Sequence, residues 1–270
     1  MRKFHKPLLI ASAALGFATP VRAAPLPPTG PWVVDYGNDQ CLLDRNYGTE
    51  AKPLILAIRR VPMDPDASVG VFSRGGPENP IVGAATVGFG GAAPIKAAFR
   101  AYSVPGKDLR SLMTYVANGA TLVASAAQSG AISVRASGEI ENSFQVPALA
   151  EGLRALDACL LDLGQSWGMP ADQQKRVKIL ARPLRQDYLQ PEDYAGELNR
   201  NSNSRPQVRL WVDENGKPLD CVPLKATASD EFANRTCRLL LQRASFSPAL
   251  DADGTPVKSL LVYTVDWFVG

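Results

Sequence analysis

Catalysis in this chain would have to rest on carboxylates, hydroxyls, lysines or thiols, because the one histidine among its 270 residues, His5, sits at the extreme N-terminus. Residues 1–23 around it read as an export signal. Arg2, Lys3 and Lys6 give a basic start, residues 8–17 a short apolar core, and Val21-Arg22-Ala23 the small residues that a signal peptidase accepts. Cleavage after Ala23 removes the imidazole. A mature chain without one cannot build a Ser-His-Asp or Cys-His nucleophile, nor a His-ligated zinc or iron site. A Ser-Lys catalyst would need Ser-x-x-Lys, which does not occur. The pairs Glu139/Glu141 and Asp64/Asp66 have the residue types for acid and base work on a glycosidic bond. Two acids at spacing two ordinarily share one exposed strand face or turn. A carboxylate enzyme would have to gather Asp35, Asp39, Asp44, Glu139 and Glu141 into one cleft.

Two further patterns are weaker. Gly88-Phe89-Gly90-Gly91 lacks the Lys-Ser/Thr of a phosphate loop and the spacing of a dinucleotide fingerprint, so a flexible or tightly turned connection is expected there. The four cysteines, Cys41, Cys159, Cys221 and Cys237, allow three disulfide pairings. A zinc site made of all four is the alternative, and the absence of any C-x2-C pair speaks against it. No cofactor and no metal is implied.

Charge excludes another class. The chain carries 29 basic and 26 acidic residues, but the signal holds four of the basic ones and none of the acidic, leaving 25 against 26. The mature chain therefore has no general basic field for nucleic acid or anionic membranes. Arg59-Arg60 and Lys175-Arg176-Val177-Lys178 are short and read as solvated surface. The signal's apolar core is far short of the roughly 20 residues that span a bilayer, and no later stretch reaches that length, so no membrane span is expected.

The elements that would position any site are clearest at the C-terminal end. Val208, Leu210 and Val212 alternate with Arg209, Trp211 and Asp213, the period of a half-buried strand. Asp213-Glu214-Asn215-Gly216 supplies a turn into residues 217–224, the second arm of a hairpin. A helix follows, with the Asp230 carboxylate near its start and Phe232, Leu239, Leu240 and Phe246 on one side, ended by Ser247-Pro248. After the Asp253-Gly254-Thr255-Pro256 turn, residues 257–269 make a last strand.

This order of hairpin, helix and final strand, with Arg243-Ala244-Ser245-Phe246-Ser247-Pro248-Ala249 and Asp253-Gly254-Thr255-Pro256-Val257, resembles the C-terminal domain of the TonB energy transducers over residues 191–270. The Tyr-Pro pair that the family often carries before its first strand is replaced here by Tyr194-Ala195. About 247 mature residues exceed one such module, so two domains are expected: residues 25–164, a connector at 165–204, and residues 205–270. That division favours Cys41 with Cys159 and Cys221 with Cys237, each bond inside one domain of a protein exported to oxidising conditions. Cys221 and Cys237 also fit a branch of the family in which the second strand is tied to the helix.

In the first domain, residues 25–28 form an extended leader, and strands are expected at 32–36, 41–47, 54–60 and 69–73. Residues 83–91 hold too many glycines for a strand to be assigned. Leu109, Leu112, Met113 and Val116 predict a helix over 107–117, and 121–126 and 131–136 read as strands around a Gln128-Ser129-Gly130 turn. Pro147 opens the clearest helix, with Leu149, Leu153, Leu156, Leu160 and Leu163 as one stripe, Cys159 beside it and Gly164 as its stop. The fold class is α+β, two domains, each an antiparallel sheet packed with helices.

The functional expectation is an exported, non-enzymatic periplasmic protein that binds a protein or peptide partner, an envelope or outer-membrane protein being the kind the resemblance implies. The resemblance implies strand addition, in which an extended peptide pairs with a sheet edge through main-chain hydrogen bonds. That edge is placed on residues 260–267, at Leu260, Val262, Tyr263, Thr264, Val265 and Trp267, whose inward side chains stay in the core. The alternatives are a TonB-type transducer acting on outer-membrane receptors with its N-terminus retained, and a carboxylate enzyme sited in the first domain.

Overall fold

The structure is a computed structural model, and it describes residues 24–90, 92–194, 207–224 and 230–265. The export signal, the end of the connector, Trp267 and the Asp230 side chain lie outside the described residues. The fold is mixed α+β, built on a large antiparallel sheet with four helices.

Seven strands come first: β1 (Trp32–Tyr36), β2 (Cys41–Asn46), β3 (Leu54–Arg60), β4 (Ala67–Arg74), β5 (Ile81–Phe89), β6 (Ile95–Ser103) and β7 (Leu109–Val116). Helix α1 (Gly119–Ser129), strands β8 (Ala131–Ala136) and β9 (Ile140–Gln145), and helix α2 (Leu149–Ser166) complete this part. Its nine strands lie in the order β1-β2-β3-β4-β7-β6-β5-β8-β9. The sheet curls into a half-barrel, and long-range hydrogen bonds mark how far. The Tyr47 hydroxyl, just past β2, donates to the Gln145 carbonyl at 2.5 Å, and Trp32 Nε1 donates to Pro147 at 3.0 Å. The Tyr47 and Phe144 rings meet edge to face, centroids 4.8 Å apart.

The inner face of the curl is the main core. Leu43, Ile58, Val69, Leu112, Phe99 and Ile132 point into it, and α1 and α2 fill it with Val123, Ala126, Leu156 and Leu160. The leucine stripe of α2 is buried as its spacing predicts, apart from the half-buried Leu153. The Cys41–Cys159 disulfide ties this helix to β2, its two cysteines fully buried. The leader is extended as expected and adds to a strand: Leu26 bridges β9 in parallel, its N–H on Ser143 and its carbonyl on the Gln145 N–H, both at 2.8 Å.

Four local expectations are corrected. Within residues 107–117, Leu109–Val116 form β7, a strand between β4 and β6, in place of a helix; Ser111, Leu112, Met113 and Thr114 are all buried, so residues of both strand faces are withdrawn from water and helical spacing carries no information. Residues 121–126 belong to α1, which runs on to Ser129 and is ended by Gly130 in the left-handed conformation. Residues 83–89 are strand, because the glycines make room for cross-strand neighbours: the Phe99 ring lies where a Gly83 side chain would be. Gly164 lies inside α2, where its bare backbone admits the Gln174 amide, which donates to Leu161 and Met169 at 2.9 and 2.8 Å.

Beyond α2, helix α3 (Ala171–Arg176) and the two-residue strand β10 (Arg182–Pro183) lead to a 3-10 turn, Pro191–Tyr194. This stretch is packed: Trp167 and Met169 join the main core, and Tyr188, Leu189 and Tyr194 join a second cluster. Strands β11 (Gln207–Val212) and β12 (Pro218–Leu224) form the expected hairpin, the Asp213 carboxylate accepting the N–H groups of Asn215 and Lys217 at 2.9 and 2.8 Å. Helix α4 (Asp230–Arg243) follows and ends before Phe246, which sits in β13 (Phe246–Ser247) and not on the helical stripe. The short pair β14 (Ala249–Leu250) and β15 (Pro256–Val257) precedes β16 (Ser259–Thr264).

The sheet β12-β11-β16 is covered on both faces. Val208, Leu210, Val212, Leu261 and Val265 pack with Phe232, Cys237 and Leu240 of α4. The opposite face gives Leu224, Leu260 and Val262 to the half-barrel core, with Trp211 against it. Strand alternation thus makes β16 a shared wall of two clusters.

Candidate functional site

The site builds outward from β16. It pairs antiparallel with β11 alone, from Val212↔Ser259 to Gln207↔Thr264, which leaves its far side as a sheet edge among the described residues. In an antiparallel ladder, alternate residues turn their N–H and C=O groups outward, so this edge presents a row of main-chain donors and acceptors. Its side chains are committed elsewhere. Leu260, Val262 and Val265 are buried, and Tyr263 and Thr264 half-buried.

A hollow of about 490 Å³ runs along this edge. Residues 261–264 form its floor, residues 64–66 one wall and residues 178–183 the other. Both walls are fixed by hydrogen bonds. Lys178 and Ile179 donate to the Leu250 carbonyl at 2.8 and 3.0 Å, Leu250 donates back to Ile179 at 2.9 Å, and Leu184 donates to Ser245 at 3.0 Å. Across the groove, the Asp64 carboxylate accepts the Asp66 N–H at 2.9 Å, and that of Asp66 accepts the Asn118 N–H at 2.9 Å. The walls carry opposite charge, with Asp64 and Asp66 on one and Lys178 and Arg182 on the other, and Lys178 Nζ donates to the Lys175 carbonyl at 2.8 Å. The floor ends in a relay: Gln207 Nε2 donates to Thr264 Oγ1 at 3.0 Å, and Arg59 Nη2 donates to Gln207 Oε1 at 2.5 Å. Arg59 Nε donates to Gln40. Burial, with Tyr188 adding to it, pushes the Tyr263 phenol above its ordinary value, so it stays neutral at physiological pH.

The other edges are protected. β12 carries Pro218 and Pro223, which have no N–H to offer, and its Cys221 is bonded to Cys237 of α4. The β9 edge is occupied at Phe144 by Leu26. β1 is only five residues long and carries an exposed Asp35. β16 has no proline and no charged residue.

The acids named as a test of an enzyme are engaged in different places. Asp35 and Asp44 sit on neighbouring strands, where burial, and after it the Asp35 charge, raises the Asp44 carboxyl above the usual range. Asp39 lies in the β1–β2 turn and acts on Arg209, which stacks on Trp167 at 5.1 Å. Glu139 pairs with Arg110, and Glu141 with Arg135. Among the described residues no group of three or more His, Cys, Asp or Glu is placed to hold a metal ion. All four cysteines are in disulfides. No helix among the described residues is long and apolar enough to cross a membrane.

Of the edge residues expected on the last strand, Val262, Tyr263 and Thr264 line the groove, and its walls were not expected. Residues 175–178 read as solvated surface and Asp64/Asp66 only as an acid pair, because nothing local says that a connector folds back beside a strand some eighty residues later. No family model, curated protein or solved structure matches the chain.

Proposed function

We propose that this chain is a non-enzymatic, exported binding protein whose residues 205–270 act as a TonB-like module, taking an extended peptide of an envelope protein by strand addition along β16. The observation that carries the reading is the open edge of β16 lying in a walled groove while the other edges of both large sheets are occupied, proline-bearing or short. The order of hairpin, helix and final strand supports the module. Two disulfides, one wholly buried, support folding in an oxidising compartment such as the periplasm. Residues 25–164 would then be a separate α+β domain that braces the module through Leu260 and Val262.

In this reading the peptide is held by its backbone, and the groove walls select side chains. About five main-chain hydrogen bonds, each worth about 1 kcal/mol net, give affinity on the order of 0.1 to 1 mM before side-chain contacts. The test is to select peptides from a displayed random library on the mature protein and then N-methylate one of them at alternate residues. One alternate set should abolish binding and the other should be tolerated, and hydrogen exchange should slow at residues 261–264. Equal tolerance of both sets, or protection on β12 or β1 instead, would sink the proposal.

A further inference from the structure

The half-barrel has a second face, turned away from its helices, and the ladder register puts an unusual set of side chains on it. One row across the strands reads Arg59, Ser68, Tyr115; four residues along the same strands, and so on the same face, a second row reads Phe72, Ser111, Tyr102. Between the rows Gly70 faces Met113, whose thioether occupies the place of the missing side chain: a Cβ on Gly70 would come 2.6 Å from the sulfur. The result is a trough with a sulfur floor and aromatic ends. It encloses a hollow of about 160 Å³, which adjoins a second of about 310 Å³ at Arg59, Ser68 and Tyr115, residues that line both.

Ser111 is the informative residue. It is wholly buried and lines the smaller hollow, yet its Oγ has no hydrogen-bond partner among the described residues. A hydroxyl withdrawn from water and left unpaired costs about 1–3 kcal/mol, so it calls for a partner that enters the trough. The smaller hollow has room for about five waters by volume, or for one sugar ring.

The chemistry of the lining chooses the class of partner. An anion is disfavoured. Arg59 already gives Nε and Nη2 to the side-chain carbonyls of Gln40 and Gln207, and Asp64 and Asp66 stand at the mouth of the larger hollow. A wholly apolar ligand would leave Ser111 as it is. What fits aromatic rings interleaved with hydroxyl and amide groups is a neutral polyol, with C–H faces for the rings and hydroxyls that both donate and accept.

We propose that this face of the half-barrel is a saccharide-binding trough, with Tyr102 and Phe72 flanking one sugar ring over Ser111 and the adjoining hollow taking the next ring. The smaller hollow shares no lining residue with the β16 groove, so the sugar ring over Ser111 and the peptide can fail separately, whereas the adjoining hollow borders the groove at Asp64, Asp66 and Thr264. The test uses the mature protein with glucose, N-acetylglucosamine, maltose and chitobiose as probes, read by amide chemical shifts. At least one disaccharide is expected to bind with millimolar affinity and to shift residues 68, 102, 111 and 115. Ser111→Ala should weaken that binding about tenfold while leaving the melting temperature equal or higher, because it deletes an unsatisfied hydroxyl. Tyr102→Ala should abolish binding, and Tyr36→Ala, an exposed ring elsewhere, should leave it unchanged. Absence of binding by all four sugars, shifts confined to other residues, or unchanged affinity in Ser111→Ala would each overturn the proposal.

Discussion

Removing the Cys41–Cys159 bond by Cys41→Ala/Cys159→Ala should cost more stability than removing Cys221–Cys237, and the structure gives the size of the gap. The first bond closes 118 residues and the second 16. On the chain-entropy model these loops correspond to about 5 and about 3 kcal/mol of constraint on the unfolded state. The setting widens the difference. Cys41 and Cys159 are both fully buried between β2 and α2, so truncation also leaves a small void, whereas Cys221 is half-exposed on an edge strand. A gap of about 2 kcal/mol is roughly thirtyfold in the folding equilibrium, and a loss of about 5 is comparable with the whole stability of many domains.

The assay is equilibrium urea unfolding of the mature protein, followed by tryptophan fluorescence and far-ultraviolet circular dichroism. The 41/159 variant should also show the larger rise in urea dependence, because opening a loop of 118 residues exposes more surface in the unfolded chain than opening one of 16. Timed reduction of the native protein should open Cys221–Cys237 first. Equal losses in the two variants, a larger loss at 221/237, or earlier reduction of the buried bond would refute the assignment of the first bond as the main constraint on the fold.

Two further outcomes follow from particular positions. Burial, with Asp35 adding to it, makes the folded chain hold the Asp44 proton more tightly than the unfolded chain does; the stability from this group is therefore present at low pH and is lost as pH rises through the folded value. Asp44→Asn should raise the melting temperature at about pH 7, by an increment that vanishes below about pH 3, and a gain that persists unchanged in acid would contradict this. Gly70→Ala should cost about 3 kcal/mol or more by calorimetry, because its Cβ would press on the Leu112 carbonyl oxygen and come 2.8 Å from Met113 Cα, where backbone and not a flexible side chain must yield; a loss under about 1 kcal/mol would show that the β4–β7 pairing is looser than described.

What the sequence disclosed follows the range of the forces involved. β1, β2, β3, the β11–β12 hairpin and α2 were legible because alternation, turn residues and a leucine stripe are local signals, whereas the two disulfide pairings were expected from the division of the chain into two parts. β7 was hidden by the same physics: Leu109, Leu112, Met113 and Val116 fit a helix, and only pairing with β4 and β6, each distant in sequence, makes them a strand with buried residues on both faces. The glycines of β5 looked like loop residues because the ring and hydroxyl that fill their space belong to Phe99 and Ser133. Val262, Tyr263 and Thr264 of the expected last strand line the candidate groove, and its walls were not legible. A wall is a tertiary fact, made here when residues 178–183 pair back onto Leu250 and β13.

The double packing of β16 bears on how it would bind. Leu260 and Val262 are locked into the half-barrel core, Leu261 and Val265 into the second cluster, and Thr264 into the relay through Gln207 to Arg59. An edge held from both faces loses little further freedom when a peptide adds to it, so more of each main-chain hydrogen bond appears as affinity. The same packing explains why side-chain substitution is a poor probe of this edge. Val262→Ala would weaken a shared core by about 1–3 kcal/mol, and any loss of binding would be indistinguishable from loss of fold. The informative perturbation lies on the peptide, where N-methylation removes a donor without touching either core. An edge strand whose side chains are mostly packed into two cores recognises a partner chiefly through its backbone and its walls. Specificity should then reside in residues 64–66 and 178–183, where charge reversal at Lys178 is free to change peptide preference without unfolding the protein.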